Sequence, residues 1–326
     1  MQLTKKRLAT ITVLLTIIFF IPILHLPESI IGDRAHNMLI YAPKAFFLGL
    51  TAAVTMSVIL ILIFKRDFVR WQISSFNRFK HLLLLQIKRD FVTKYRKSVL
   101  GVLWSLLNPI LTMLVMTLVF SHVFRFQIEH FPVYLLSGRL IFGFFEESTI
   151  AGMTSVLKNG GIINKVYVPK YIFPVSTVMS SLVNVIFFFI AFLVVFTITR
   201  VPWSWTMLLF PIPIIYIFVF ALGIVMLLSS LAVFFRDLTY LYGVFLTMLM
   251  FLTPIFYPVD MLPEQLIPFM GFNPMYHFVD YFRAITLHGY VPDLWSNLVC
   301  IGFALASLCI GTYVFMAKQD RFILYL

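Results

Sequence analysis

The chain has 326 residues, of which 61% are hydrophobic and 12% charged, and its mean hydropathy is +0.98. Soluble domains carry about 25% charged residues, so a water-soluble globular fold is excluded and an all-α polytopic membrane protein is implied. The net charge of +12 does not indicate nucleic-acid binding, because the cations lie scattered between apolar runs, as retention of basic loops in the cytoplasm produces.

Lys5, Lys6 and Arg7 open the chain, and the apolar run after them continues to Leu26 without a small-residue cleavage site. It reads as a retained span rather than a signal peptide. Runs of spanning length, about 20 residues for a layer of about 30 Å, fall near 8–26, 38–64, 98–120, 131–154, 174–199, 208–234, 238–258 and 296–316. With the N-terminus inside, nineteen of the 25 Lys and Arg residues lie in inside segments, ten of them between Lys65 and Lys97. The positive-inside rule therefore places both termini in the cytoplasm.

Between the second and third spans, Phe76, Phe79, Leu83, Ile87, Phe91 and Tyr95 recur at three and four residues, with cations filling much of the remainder. That stripe predicts an amphipathic helix over 71–97 lying in the cytoplasmic interface. The chain then turns near Ser98 to Gly101, and Trp104 falls at the boundary where its ring is favoured. The cations of this helix have two readings, an anchor on anionic membrane lipids or a contact with phosphate, which guanidinium binds bidentately and ammonium as a point charge.

In the fourth span, Glu146 and Glu147 lie about fifteen residues in, where a carboxylate costs roughly 2.5 to 3.5 kcal/mol. Arg139 shares a face with Glu146 two turns earlier, a separation read as too long for a direct pair within one helix. The acidic pair is read as a polar path lining or gate, with a buried structural network and a proton relay as alternatives. The loop 157–174 follows. Asn159, Gly160 and Gly161 break the preceding helix, Ile162, Ile163, Val166, Tyr167 and Val168 offer apolar anchors, and Lys158, Lys165 and Lys170 form a charged rim. This is either a small docking interface or a plain basic loop.

The stretch 259–290 is apolar, but Pro263, Pro268 and Pro274 cut it into pieces too short to cross. It is predicted to form two short re-entrant helices on the external side, broken at Asn273-Pro274, with Asp280 and Arg283 pairing three residues apart. Cys300 and Cys309 are about 13 Å apart along one helix, too far for a disulfide.

Taken together, KYRKSVLGVLWSLLNPIL, FPVYLLSG, NGGIINKVYVPKYIFPV, FFRDLTYL, LTPIFYPVDMLPE and GFNPMYHFVDYFRA stand in an order that resembles the polysaccharide and teichoic acid exporters of the ABC-2 permease family, across roughly 80–326. The resemblance implies a six-helix core over 98–326, preceded by the interfacial helix at 71–97. Residues 1–70 add two further spans, and Arg139, Glu146 and Glu147 stand where the family is mostly apolar or small and polar. It implies a homodimer that exports a lipid-linked cell-surface polysaccharide, or teichoic acid, and docks two ATPase subunits carrying ATP and Mg. Asn159, Ile162, Ile163, Lys165, Val166, Tyr167, Pro169 and Lys170 then form the ATPase-coupling loop. Arg89, Lys94, Tyr95, Arg96 and Lys97 meet the lipid phosphate; the path or gate residues, Arg139, Glu146 and Glu147 with Asp280 and Arg283 at the external side, rest on the reading of the residues themselves. The sequence has no phosphate-cradling G-x-x-x-x-G-K-[ST] loop, no catalytic residue is assigned, and the seven His residues show no metal-ligand spacing.

Two other classes compete. A membrane-embedded glycan-assembly enzyme needs an acid or base beside a metal or nucleotide site, and the acidic residues are dispersed apart from Glu146 and Glu147. An ion-coupled secondary transporter often shows repeated halves, and no convincing repeat is visible.

Overall fold

The computed structural model describes residues 66–95, 101–120, 128–166, 168–262 and 270–326, with side chains from Phe79 onward in the first segment and excluding Tyr95. The two expected N-terminal spans, Arg96, Lys97, Tyr167, residues 263–269 and the Tyr95 side chain lie outside the described residues. Among the described residues every regular element is helical, so the all-α expectation holds.

Helix α1 (Arg66–Tyr95) carries the amphipathic stripe. Leu83 is buried and Phe79, Ile87 and Phe91 are half-buried, whereas Leu84 and Leu85 are exposed. The helix thus packs one face on the protein and leaves a second apolar face outward. Gly101 makes the turn that follows, at φ +49°, a conformation that an added Cβ would strain. Helix α2 (Trp104–Leu118) tolerates the buried Pro109, and Trp104 is largely exposed at its start.

Helix α3 (Phe131–Met153) begins with Pro132 in its first turn, where the missing N–H costs nothing. It is the centre of the molecule, with Val133, Leu136, Leu140, Ile141, Phe142 and Phe145 all buried. Two single-turn helices, α4 (Ser155–Lys158) and α5 (Gly160–Ile163), lead to α6 (Ile172–Ile198). A 3-10 turn, Trp205–Leu209, precedes α7 (Pro211–Ala232), and α8 (Leu238–Leu252) follows. Helix α9 (Pro274–Thr286) is capped by Asn273, whose Oδ1 accepts from Met275 N at 3.0 Å. Asp293 likewise caps α10 (Leu294–Lys318), accepting from Ser296 N at 2.9 Å. The segments Ile172–Ile198, Trp205–Ala232 and Leu294–Leu324 are long and apolar enough to cross a membrane.

The tightest helix pair is α7 with α10. A Cβ on Gly311 would run into the carbonyl of Gly223, and one on Gly223 into the backbone of Ser307. Ser307 Oγ closes the contact by donating to Phe220 O at 3.1 Å. Small residues let two backbones approach where no water-driven force holds them. Cys300 and Cys309 are free thiols on α10, as their spacing requires.

The core falls into two clusters. The larger joins α3, α6, α7 and α9. The smaller gathers Leu83 of α1, Val156, Ile163, Phe173, Phe315 and Phe322 at the end where α3 finishes and α6 begins.

Candidate functional site

Most of α3 is buried, yet Arg139, Gly143, Glu146, Glu147 and Ile150 remain at least partly open. Their spacing of four, three to four and three residues puts them on one helical face. That face lines a cavity of about 600 Å³ between α2, α3, α6 and the end of α8. Asn108 and Thr112 of α2 and Asn184 of α6 add polar groups, and Trp104, Phe144, Phe188 and Phe256 add flat apolar ones. Gly143 faces open space.

Three of the predicted path residues therefore converge, but their pairing differs from expectation. Arg139 Nη1 lies 3.5 Å from Glu146 Oε2 and 3.5 Å from Met250 Sδ. Two long side chains extended toward each other along the helix span the roughly 10 Å rise of seven residues, so no third partner is needed. Nor is Glu147 isolated in an apolar layer. Its Oε1 accepts from Lys94 Nζ of α1 at 2.7 Å and from Asn184 Nδ2 at 2.7 Å. Lys94 and Glu147 keep 48% and 40% of their side-chain surface exposed, and pairs so open contribute about 0.2 to 1 kcal/mol. The contact positions the two groups but holds them weakly.

A second cavity of about 210 Å³ lies between α1 and α6, lined by Arg89, Asp90, Lys94, Glu147, Lys158, Asn159 and the hydroxyls of Thr177, Ser180 and Ser181. Arg89 is held in place by Asp90 at 3.1 Å and by Asn159 Oδ1 at 3.3 Å. Arg89 and Lys94 thus stand together, while Arg96 and Lys97 are not described.

The loop 157–174 is divided. Ile163 is only 7% exposed and belongs to the smaller core cluster, as does Val168; Ile162 packs partly on it. Asn159 is buried and donates to Ser155 O at 2.8 Å. Lys170 Nζ donates to Gln319 O at 2.6 Å and lies over the Phe322 ring, and burial lowers its pKa against the opposing pull of Asp320. Pro169 is half-buried beside it. Among the described residues of the loop, Lys158, Gly161, Asn164, Lys165 and Val166 are exposed. Sequence spacing cannot separate these groups, because a loop has no fixed period.

Asp280 and Arg283 do not pair. Arg283 is buried and donates to Pro254 O at 2.7 Å, Ile255 O at 3.1 Å, Tyr134 O at 3.2 Å and Ser137 Oγ at 3.3 Å. Asp280 instead borders a separate cavity of about 250 Å³ with His277, Tyr290 and Asp293. The local spacing allowed a pair, but four oxygens fixed by two segments, α3 and the chain after α8, offer the guanidinium more than one exposed carboxylate does.

Residues 81–287 match the family model of the ABC-2 type transporter. The chain belongs to the ABC-2 type transporter family. An O-antigen export system permease protein of Klebsiella pneumoniae is 31% identical over 74% of this chain and 93% of its own length. Another of Myxococcus xanthus is 27% identical over 77% and 97%. The polysialic acid transport protein of Escherichia coli is 23% identical over 71% and 91%. As an ABC-2 transporter subunit with several apolar helices, the protein is a multi-pass membrane protein. The ABC-2 match begins within α1 and runs through α9, and so contains the lining of the cavities of about 600 and 210 Å³ and the divided loop.

Sequence reasoning missed Asn184, Asn108 and Thr112 in this ABC-2 core. Asn184 carried a readable signal, a lone amide inside the apolar run 174–199, since polar groups at membrane depth seek partners.

Proposed function

We propose that this chain is the permease subunit of an ATP-driven exporter that moves a lipid-linked cell-surface polysaccharide from the cytoplasm to the outer side of the inner or plasma membrane. Two copies form the pathway, both termini are cytoplasmic, and two ATPase subunits dock beneath and supply the hydrolysis of ATP with Mg. The observation that carries the reading is the large cavity. It is lined both by polar groups, Arg139, Glu146, Glu147, Asn108 and Asn184, and by rings, Trp104, Phe144, Phe188 and Phe256, and sugars offer hydroxyls for the first and C–H faces for the second. The relatives named for O-antigen and polysialic acid export support polysaccharide as the cargo class.

Arg89 and Lys94 at the entrance suit the phosphate of a lipid carrier. Lys165 and Val166 offer the ATPase an exposed contact, and closure of the ATPases then moves the loop and the packed helices above it. The test is to delete the gene and isolate the polymer. Accumulation of lipid-linked polysaccharide inside the cells supports the reading; normal surface polymer ends it. Inside-out vesicles supplied with ATP, and separately with a proton gradient alone, distinguish an ATP-driven exporter from an ion-coupled one.

A further inference from the structure

The cavity of about 600 Å³, the upper chamber, and that of about 210 Å³ between α1 and α6, the lower chamber, meet at one place. Lys94, Glu147 and Asn184 line both, and they are joined there by two contacts of 2.7 Å to a single carboxylate oxygen. The lower chamber carries three cations, Arg89, Lys94 and Lys158, against Asp90 and Glu147. Asp90 is engaged by Arg89, and Lys94 pairs with Glu147 at 2.7 Å. The upper chamber carries Arg139 paired with Glu146.

We propose that the Lys94, Glu147 and Asn184 contact is a latch between the two chambers, released when a diphosphate group entering the lower chamber takes Lys94 from Glu147. The exchange swaps one carboxylate for a more highly charged oxyanion on the same ammonium, beside Arg89 and Lys158. Glu147 of α3 keeps its hydrogen bond from Asn184 of α6, so it is not left without a partner. Lys94 sits in the last turn of α1, so its release also removes the ion pair between that end of the helix and α3. This inference rests on the reading of the chain as a permease for a phosphate-bearing lipid-linked cargo, and it adds how that cargo opens its own way.

The test places a reporter in the upper chamber. Thr112→Cys is made with Cys300→Ser and Cys309→Ser, and the assembled transporter is probed in inside-out vesicles with a membrane-impermeant trimethylammonium methanethiosulfonate. With the latch intact, labelling is slow. Glu147→Gln, and independently Lys94→Gln, raise the rate by up to about fivefold, the change that a weak ion pair governs. Inorganic pyrophosphate in zwitterionic vesicles raises the rate of the intact latch and leaves that of Glu147→Gln unchanged. Acceleration by phosphatidylglycerol vesicles without pyrophosphate assigns the releasing phosphate to a lipid headgroup. Equal rates in all variants, with no response to either phosphate source, overturn the latch. That failure leaves the deletion phenotype untouched, whereas normal surface polymer in the deletion strain removes the export reading and leaves the labelling result standing.

Discussion

The guanidinium carbon of Arg283 sits 3.5 Å from the centroid of the Tyr134 ring, while Tyr134 Oη donates to Tyr257 O at 2.8 Å. One arginine of α9 and one tyrosine of α3 thereby fasten the irregular chain that follows α8. Arg283→Ala takes a donor from the carbonyls of Pro254, Ile255 and Tyr134, of which Tyr134 O retains Ser137 Oγ at 2.7 Å, at a cost of about 1 to 3 kcal/mol. Arg283→Lys keeps the charge and loses the fork. Melting temperatures in detergent should fall in the order wild type, Arg283→Lys, Arg283→Ala; an unchanged value for Arg283→Ala removes the fastening role.

Gly311 and Gly143 should respond oppositely to the same substitution. Gly311→Ala forces α7 and α10 apart and costs about 1 to 3 kcal/mol. Gly143→Ala meets nothing within reach and gains up to about 1 kcal/mol of helix propensity. Thermal unfolding of the two variants side by side checks this, and the packing argument is lost if Gly311→Ala melts with the wild type.

The neighbouring rings of α6 separate binding from folding. Phe187 stacks on Phe91 of α1 with centroids 6.2 Å apart, Phe189 stacks on Phe210 at 4.1 Å, and Phe188 lines the large cavity. Phe189 is half-buried, so Phe189→Ala is expected to lower stability by about 1 to 3 kcal/mol, below the range of a fully buried ring. Phe188→Ala should reduce export of polymer while leaving the melting temperature close to wild type. Full export by Phe188→Ala would count against the cavity as the path.

In the loop after α3, Val166→Asp with Lys165→Glu changes only exposed groups. The protein should fold normally and lose its ATPase on co-purification. Ile163→Asp buries a carboxylate in the smaller core cluster and is expected to reduce the yield of folded protein instead. Retention of the ATPase by the exposed double variant would falsify the docking assignment.

The sequence by itself determined that the chain is a membrane protein, that it is helical, where the apolar segments lie and which family their motifs resemble. These are one-dimensional properties: apolar runs must satisfy their backbone internally, prolines interrupt at fixed positions, and Gly101 turns where the stripe of α1 ends. What only the tertiary structure decided is which member of each local group faces what. Phe187, Phe188 and Phe189 are chemically identical and adjacent, but α1, the cavity and α7 surround α6 on three sides. Ile163 and Val166 looked like equal anchors until the C-terminal Phe322 and Leu83 closed over the first. Arg283 could reach Asp280 locally, and three distant carbonyls outbid it. Lys94 and Glu147, fifty-three residues apart, meet because α1 folds back against α3 and α6. Contacts between remote segments depend on how whole helices pack, and no periodicity within one helix contains that information.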